Sequence, residues 1–147
     1  LLGIDRTPME FEKNVSHLVA QAAYNEAGVE PKDISCAEIH DATAFAEIQQ
    51  VENLMFTSFG SGGELIESGA CGIGGRIPVN TSGGLQSKGH PIGATGIAQL
   101  HELALQLRGE ARERQVEGAR LAIAENGGGL YGIEEASVAV TILGAKK

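Results

Sequence analysis

Between positions 10 and 27 the apolar residues Phe11, Val15, Leu18, Val19, Ala22 and Ala23 recur at steps of three and four. That spacing predicts a helix over Glu10–Ala27, stopped by Gly28 and followed by a turn from Val29 to Asp33. Ile34 to His40 reads as a short strand running into His40-Asp41. Phe45, Ile48, Val51 and Met55 share one helical face and predict a second helix from about Thr43 to Thr57. Gly60 to Gly75 has no clear period and reads as loop with one short helical turn. Arg76 to Asn80 reads as a short strand, and Thr81 to His90 as a second glycine-bearing loop. Pro91 stands where a first helical residue belongs, and Ile97, Leu100, Ala104 and Leu107 carry a third helix to about Arg108. Gly109 to Gly118 mixes charges of both signs and reads as surface. Ala119 to Ala124 reads as a strand, Asn126 to Gly132 as a glycine turn, and Ala136 to Leu143 as a β-branched strand antiparallel to it. Strands alternating with helices make this an α/β layered domain.

Composition narrows the class. The chain has 147 residues, about one domain, with 42% hydrophobic and 20% charged residues, which excludes a disordered segment. No apolar run approaches a membrane span, and the first residues lack a basic-then-apolar signal pattern. A net charge of −8 argues against nucleic acid as a partner. Two cysteines make no disulfide framework, no Cys/His spacing resembles a metal site, and the expected compartment is reducing and cytoplasmic. Glycine is unusual, at 21 residues, about twice the average share. Twelve of them fall between Gly60 and Gly96, which indicates tight turns or backbone approaching a ligand.

Three segments place ionisable residues beside such turns: Glu38-Ile39-His40-Asp41, Lys88-Gly89-His90-Pro91, and Glu125-Asn126-Gly127-Gly128-Gly129. Strand ends are where α/β sheets gather ligands, so their convergence at one edge is the expectation. Each also has a plain structural reading: His40 bridging backbone groups, His90 entering a helix, Glu125 as a solvated charge. Neither a dinucleotide-binding nor a P-loop glycine pattern occurs in the required form. Backbone N–H groups at the start of the third helix would still favour an anion or oxyanion.

The string Asn80-Thr81-Ser82-Gly83-Gly84, followed by Lys88-Gly89-His90-Pro91-Ile92-Gly93-Ala94-Thr95-Gly96, resembles the signature of the thiolase superfamily. His40-Asp41 with Glu47 resembles the corresponding segment of sterol-carrier-type thiolases, the lipid-transfer branch. The stretch Ala124 to Leu143 resembles the thiolase C-terminal turn and strand. The likeness runs from about Thr7 to Leu143. It implies that residues 1–147 form most of a thiolase C-terminal domain, a layered fold with a mixed sheet packed by helices. The nucleophile-bearing N-terminal half is not in this chain. Cys36 reads as a small buried hydrophobe, and Cys71 sits in a glycine loop whose context is not that of the family nucleophile.

The resemblance implies an acyl-CoA C-acyltransferase that thiolytically cleaves a 3-oxoacyl-CoA. It assigns His90 to activating the nucleophile, His40 to holding an oxyanion, and Gly127 to offering a backbone N–H to another oxyanion. Ser82 and Gly83 would contact coenzyme A, which is a substrate and not a resident cofactor. Glu125 departs from the family, which places cysteine or histidine there. A carboxylate serves as a base only where its surroundings raise its pKa. That departure fits a branch acting on bulky or atypical acyl chains. It leaves open a retro-aldol lyase of the same fold and a non-catalytic subunit. Implied partners are acyl-CoA, the N-terminal half, further copies of the chain, and a small OB-fold, zinc-bearing subunit. Lys88, Arg76 and the Arg108 to Arg120 segment are the cations available for an anionic substrate, the last reading more simply as a solvated face.

Overall fold

The computed structural model describes residues 13–129 and 135–145. Its centre is a mixed three-stranded sheet in the order β1-β2-β3. Strand β1 (Cys36–Glu38) pairs parallel with β2 (Leu121–Gly128), Cys36 facing Ala122 and Glu38 facing Ala124. Strand β3 (Ser137–Gly144) runs antiparallel to β2 along its whole length, from Leu121 opposite Gly144 to Gly128 opposite Ser137. Strand β2 therefore continues through Asn126 and Gly127, where a glycine turn was expected. Strand β1 is shorter than Ile34–His40. The expected strand over Arg76–Asn80 reduces to one parallel bridge between Ala37 and Val79. Pro78 has no N–H to extend that ladder, and Asn80 turns away with φ of 51°.

Helix α1 (Val15–Ala27) begins at Val15 rather than Glu10, because Asn14 has extended ψ and accepts the Ser16 N–H on Oδ1 at 2.9 Å. Phe11 lies outside the described residues. Gly28, at φ 66°, ends the helix as expected. Its buried face is Ser16, Ala20 and Tyr24, while Leu18 is 48% exposed. Small residues let α1 approach the sheet closely, and the Tyr24 hydroxyl donates to the Leu54 carbonyl at 3.0 Å. Helix α2 (Ala44–Asn53), capped by Thr43, stops before Met55, whose φ of 60° is left-handed. Its first turn projects outward with Phe45 70% exposed; its last residues, Gln50 to Asn53, are buried. Helix α3 (Gly62–Glu67) is the short turn expected in the glycine loop.

Helix α4 (Gly84–Lys88) forms inside the second glycine loop, where none was expected. The buried Asp41 carboxylate caps it, with Oδ1 accepting the Leu85 N–H at 2.7 Å. Helix α5 (Thr95–Arg108) starts four residues after Pro91; residues 91–95 first make a turn in which the Pro91 carbonyl accepts the Ala94 and Thr95 N–H groups. Its buried face carries Gln99, Glu102, Leu103 and Gln106, and Ile97 is left 69% exposed. Polar side chains can occupy that face because they are paired. Arg114 forks onto both Glu102 oxygens at 3.2 and 2.9 Å, and Gln106 Nε2 donates to Thr81, Glu102 and the Arg114 carbonyl. The segment 109–118 is thus tied to the core through Arg114, Ala111 and Val116, while Glu110, Arg112, Glu113 and Glu117 are exposed as expected of a surface segment.

The helices make two layers around the sheet. Ile39, Ala37 and Ile123 pack with Ala20, Tyr24, Val51 and Leu54 on one side; Cys36, Ala122 and Ala124 pack with Leu103 and Val116 on the other. Ile39 and Ile123 are fully buried, each contributing about 2 kcal/mol. Gly84 shows how little slack the α4 cap has. Its φ is 61°, and a Cβ there would lie 2.2 Å from Asp41 Oδ2. Gly84→Ala is expected to cost at least about 2 kcal/mol, read as a lowered urea midpoint with an unchanged slope.

Candidate functional site

The three polar segments meet through the end of β1. Asn80 Oδ1 accepts the Ile39 N–H at 2.8 Å, Ser82 donates its N–H and hydroxyl to the Glu38 carboxylate at 3.0 and 2.5 Å, and Asp41 caps α4. Lys88 reaches the Ser82 hydroxyl and lies 3.8 Å from Glu38 Oε2. Burial raises the Glu38 carboxyl above its usual range, against the Ser82 bonds and the Lys88 charge. These contacts hold the Asn80–Gly89 loop against the strand that carries His40.

His40 follows directly. Its backbone N–H donates to Glu125 Oε2 at 3.1 Å, and its ring centroid lies 5.0 Å from that of His90. Neither ring nitrogen of His40 has a hydrogen-bond partner among the described residues, although both are buried. His90 is exposed at the turn before α5. Thr95 Oγ1 donates to the Pro91 carbonyl at 3.2 Å and meets His90 Nδ1 at 2.7 Å. With the Thr95 proton given to Pro91, His90 Nδ1 is the donor in that contact and Nε2 is left with a free lone pair.

Beside them opens a cavity of about 470 Å³, lined by His40, His90, Phe45, Gln50, Gly128 and Glu135 among others. Glu135 is the acidic residue that sequence reasoning did not single out. Its Oε2 accepts the Ser16 hydroxyl at 2.7 Å and Gln50 Nε2 at 3.2 Å, and its Oε1 lies 3.6 Å from His40 Nδ1. These partners are 119, 85 and 95 positions away in the chain, so no local spacing points to them. The one sequence sign is a pair of carboxylates, Glu134-Glu135, interrupting the apolar approach to β3. Gly127 explains how the side chain fits: a Cβ on Gly127 would lie 1.5 Å from Glu135 Oε1.

Glu125 is fully buried and does not line the cavity. Burial, then the negative charge of Glu135, raise its carboxyl well above the ordinary range, outweighing the His40 N–H. Burial alone would raise Glu135 too, but the His40 imidazole and the Ser16 hydroxyl outweigh it and hold that carboxyl below its usual value. The pair thus divides in direction: Glu125 inside is pushed toward its protonated form and Glu135 at the cavity toward its anion. Ser82 and Gly83 lie outside the lining: Ser82 is engaged by Glu38 and Lys88, and Gly83 turns at φ 99° into α4. Both cysteines are buried, Cys71 included despite its glycine loop. Burial, with the nearby Glu38 and Glu102, pushes the Cys36 thiol to about 12; burial and Glu47 push Cys71 to about 11. Neither supplies a thiolate near neutral pH. Among the described residues no helix is long and apolar enough to cross a membrane.

The fold is thus a mixed α/β domain that brings His40, His90 and Glu135 to one cavity. Residues 8–144 match the family described as Thiolase C-terminal domain-like, and the chain belongs to it. It is 50% identical over 113 residues to the acetyl-CoA acetyltransferase of Methanothermobacter thermautotrophicus, covering 77% of this chain and 30% of that protein. It is 44% identical over 113 residues to sterol carrier protein 2 of Homo sapiens, covering 77% of this chain and 21% of that protein. The solved Ltp2-ChsH2(DUF35) aldolase superposes with a TM-score of 0.76 at 28% identity, over 88% of this chain and 31% of that one. The chain thus spans between about a fifth and a third of the length of these relatives.

A raised Glu125 has a consequence for stability. Above the ordinary carboxylate pKa the folded state holds a proton that the unfolded state has released, so stability falls as pH rises toward the folded value. Glu125→Gln keeps an acceptor for the His40 N–H and removes the titration. The unfolding free energy of the variant is expected to be flatter between about pH 5 and pH 8 than that of the parent. An equally steep decline in both proteins, measured by denaturant titration, contradicts the assignment.

Proposed function

We propose that this chain is the histidine-bearing C-terminal part of a thiolase-type enzyme that breaks a carbon–carbon bond in a CoA thioester, with thiolysis of a 3-oxoacyl-CoA as its reaction. The observation that carries the reading is the pair of imidazoles, 5.0 Å apart, beside the cavity. A cysteine on the N-terminal half supplies the nucleophile. His90 Nε2 takes the thiol proton, and the thiolate attacks the 3-oxo carbon. The C2–C3 bond breaks, its electron pair forms the enolate of the CoA thioester that keeps C1 and C2, and the proton His90 took from the thiol goes to C2, which frees His90 for the second step. CoA thiol then attacks the acyl-enzyme, giving its proton to His90 and returning the cysteine. His40, once it has taken a proton, answers an oxyanion formed on the way, whereas Gly127 is buried in β2 outside the cavity lining and makes room for the Glu135 carboxylate. Ser82 and Gly83 shape the turn that presents His90, and Glu125 holds the His40 backbone. A second subunit is part of this reading, supported by the paired name of the Ltp2-ChsH2(DUF35) aldolase.

One observation favours a second reaction at the same site. An anionic Glu135 beside His40 makes a base suited to a hydroxyl proton. On a 3-hydroxyacyl-CoA, loss of that proton breaks C2–C3, leaving a carbonyl product and an acyl-CoA enolate that C2 protonation completes.

The full-length enzyme distinguishes the two. His90→Ala is expected to lower kcat for thiolysis by about 10²- to 10⁴-fold, measured with 3-oxoacyl-CoA and CoA. An unchanged rate overturns the role of His90. Cleavage of a 3-hydroxyacyl-CoA without added CoA, and no thiolysis, replaces the first reaction with the second.

A further inference from the structure

We propose that Glu135 is a positioning residue that sets the protonation of His40, holding the ring proton on Nδ1 so that Nε2 of the neutral imidazole is a proton acceptor. Glu135 Oε1 faces His40 Nδ1 at 3.6 Å, longer than a hydrogen bond but within ion-pair range. Across that gap a carboxylate attracts an N–H and repels a lone pair. The carboxylate itself is anchored: Ser16 and Gln50 both donate to Oε2, leaving Oε1 toward the ring. The His40 side chain is only 11% exposed, so water does little to screen the contact.

The other ionisable groups near His40 do not compete for Nδ1. Glu125 accepts the His40 backbone N–H on Oε2, with its Oε1 unpartnered among the described residues, and His90 meets the ring tilted by 49° with its own Nδ1 against Thr95. Nε2 is buried and has no hydrogen-bond partner among the described residues, so nothing there fixes the ring proton from the other side. Gly127 belongs to the same device, since only a glycine there admits the Glu135 carboxylate.

The consequence deepens the proposed function and rests on it only for the reaction served. A neutral His40 held in this way has no N–H at Nε2 to give an oxyanion. It acts as a base, or as a donor once it has taken a proton, with Glu135 balancing the imidazolium. Base chemistry at His40 is what removal of a substrate hydroxyl or C2 proton needs.

The test reads the tautomer directly and requires no turnover. Full-length protein is labelled with ¹⁵N in its imidazoles, the His40 signals are assigned by their loss in His40→Gln, and spectra are taken where His40 is neutral. The expected result is a protonated Nδ1 and an unprotonated Nε2. Glu135→Ala should lose this preference and give a mixture or the opposite tautomer. Glu135→Gln should lose it as well, because the Ser16 and Gln50 donors hold the amide oxygen at the Oε2 position and turn the amide N–H toward Nδ1. Should Glu135→Ala fail to fold, Ser16→Ala loosens the carboxylate and is expected to shift the mixture in the same direction. A proton on Nε2 in the parent, or an unchanged pattern in the folded Glu135→Ala protein, overturns the proposal. Failure of the thiolase reading, seen as an unaffected His90→Ala rate, leaves the tautomer untouched, so the two are separable.

Discussion

The end of strand β1 is the constraint on which the site depends. Its three residues have strand partners, but the chain beyond Glu38 does not, and side chains take over. Asn80 holds Ile39, Ser82 holds Glu38, and Asp41 reaches forward to cap α4. Each bond crosses about forty positions of sequence, so each ties the loop that carries His90 to the strand that carries His40. Buried charged acceptors make such bonds stronger than exchange with water would suggest, and costly to leave unpaired. The glycines make the close approach possible, and Gly84 in particular is packed directly against Asp41.

The second organising feature is the polar interior. Glu38, Glu102, Gln99 and Gln106 lie in or against the layer between α5 and the sheet, where apolar residues are the ordinary filling. They persist there because Thr81, Arg114 and backbone groups pair with them, Gln99 Oε1 being left without a partner among the described residues. On the opposite face of β2, Glu125 and Glu135 form a pair whose inner member is pushed toward its neutral form and whose outer member is pushed toward its anion. That division resembles the way paired acids take separate roles when their surroundings differ. Here the outer member faces the cavity, and the inner one serves the backbone of the strand that carries His40.

Much was legible from spacing alone. The α/β class, the Gly28 stop, the short helix in the first glycine loop and the antiparallel last pair of strands all follow from periodicity and turn residues. The family was legible from the Asn80–Gly96 string, because its glycines, proline and histidine are set by turns that act locally. The convergence of His40, His90 and Glu125 was legible as an expectation, since strand ends and helix entries share one edge of such sheets.

Other features depended on partners far away. The polar buried face of α5 cannot be read from Ile97, Leu100, Ala104 and Leu107, because what buries Gln99 and Gln106 is a supply of distant hydrogen-bond partners. Helix α4 forms because Asp41 caps it from another segment, not because Gly-Leu-Gln-Ser-Lys favours a helix. Glu125 and Glu135 look alike in the sequence. Only the folded chain buries the first and sets the second at a cavity beside Ser16, Gln50 and His40. A sequence specifies which groups can ionise; the tertiary structure decides which do, because solvation and neighbouring charge exist only once the chain has folded.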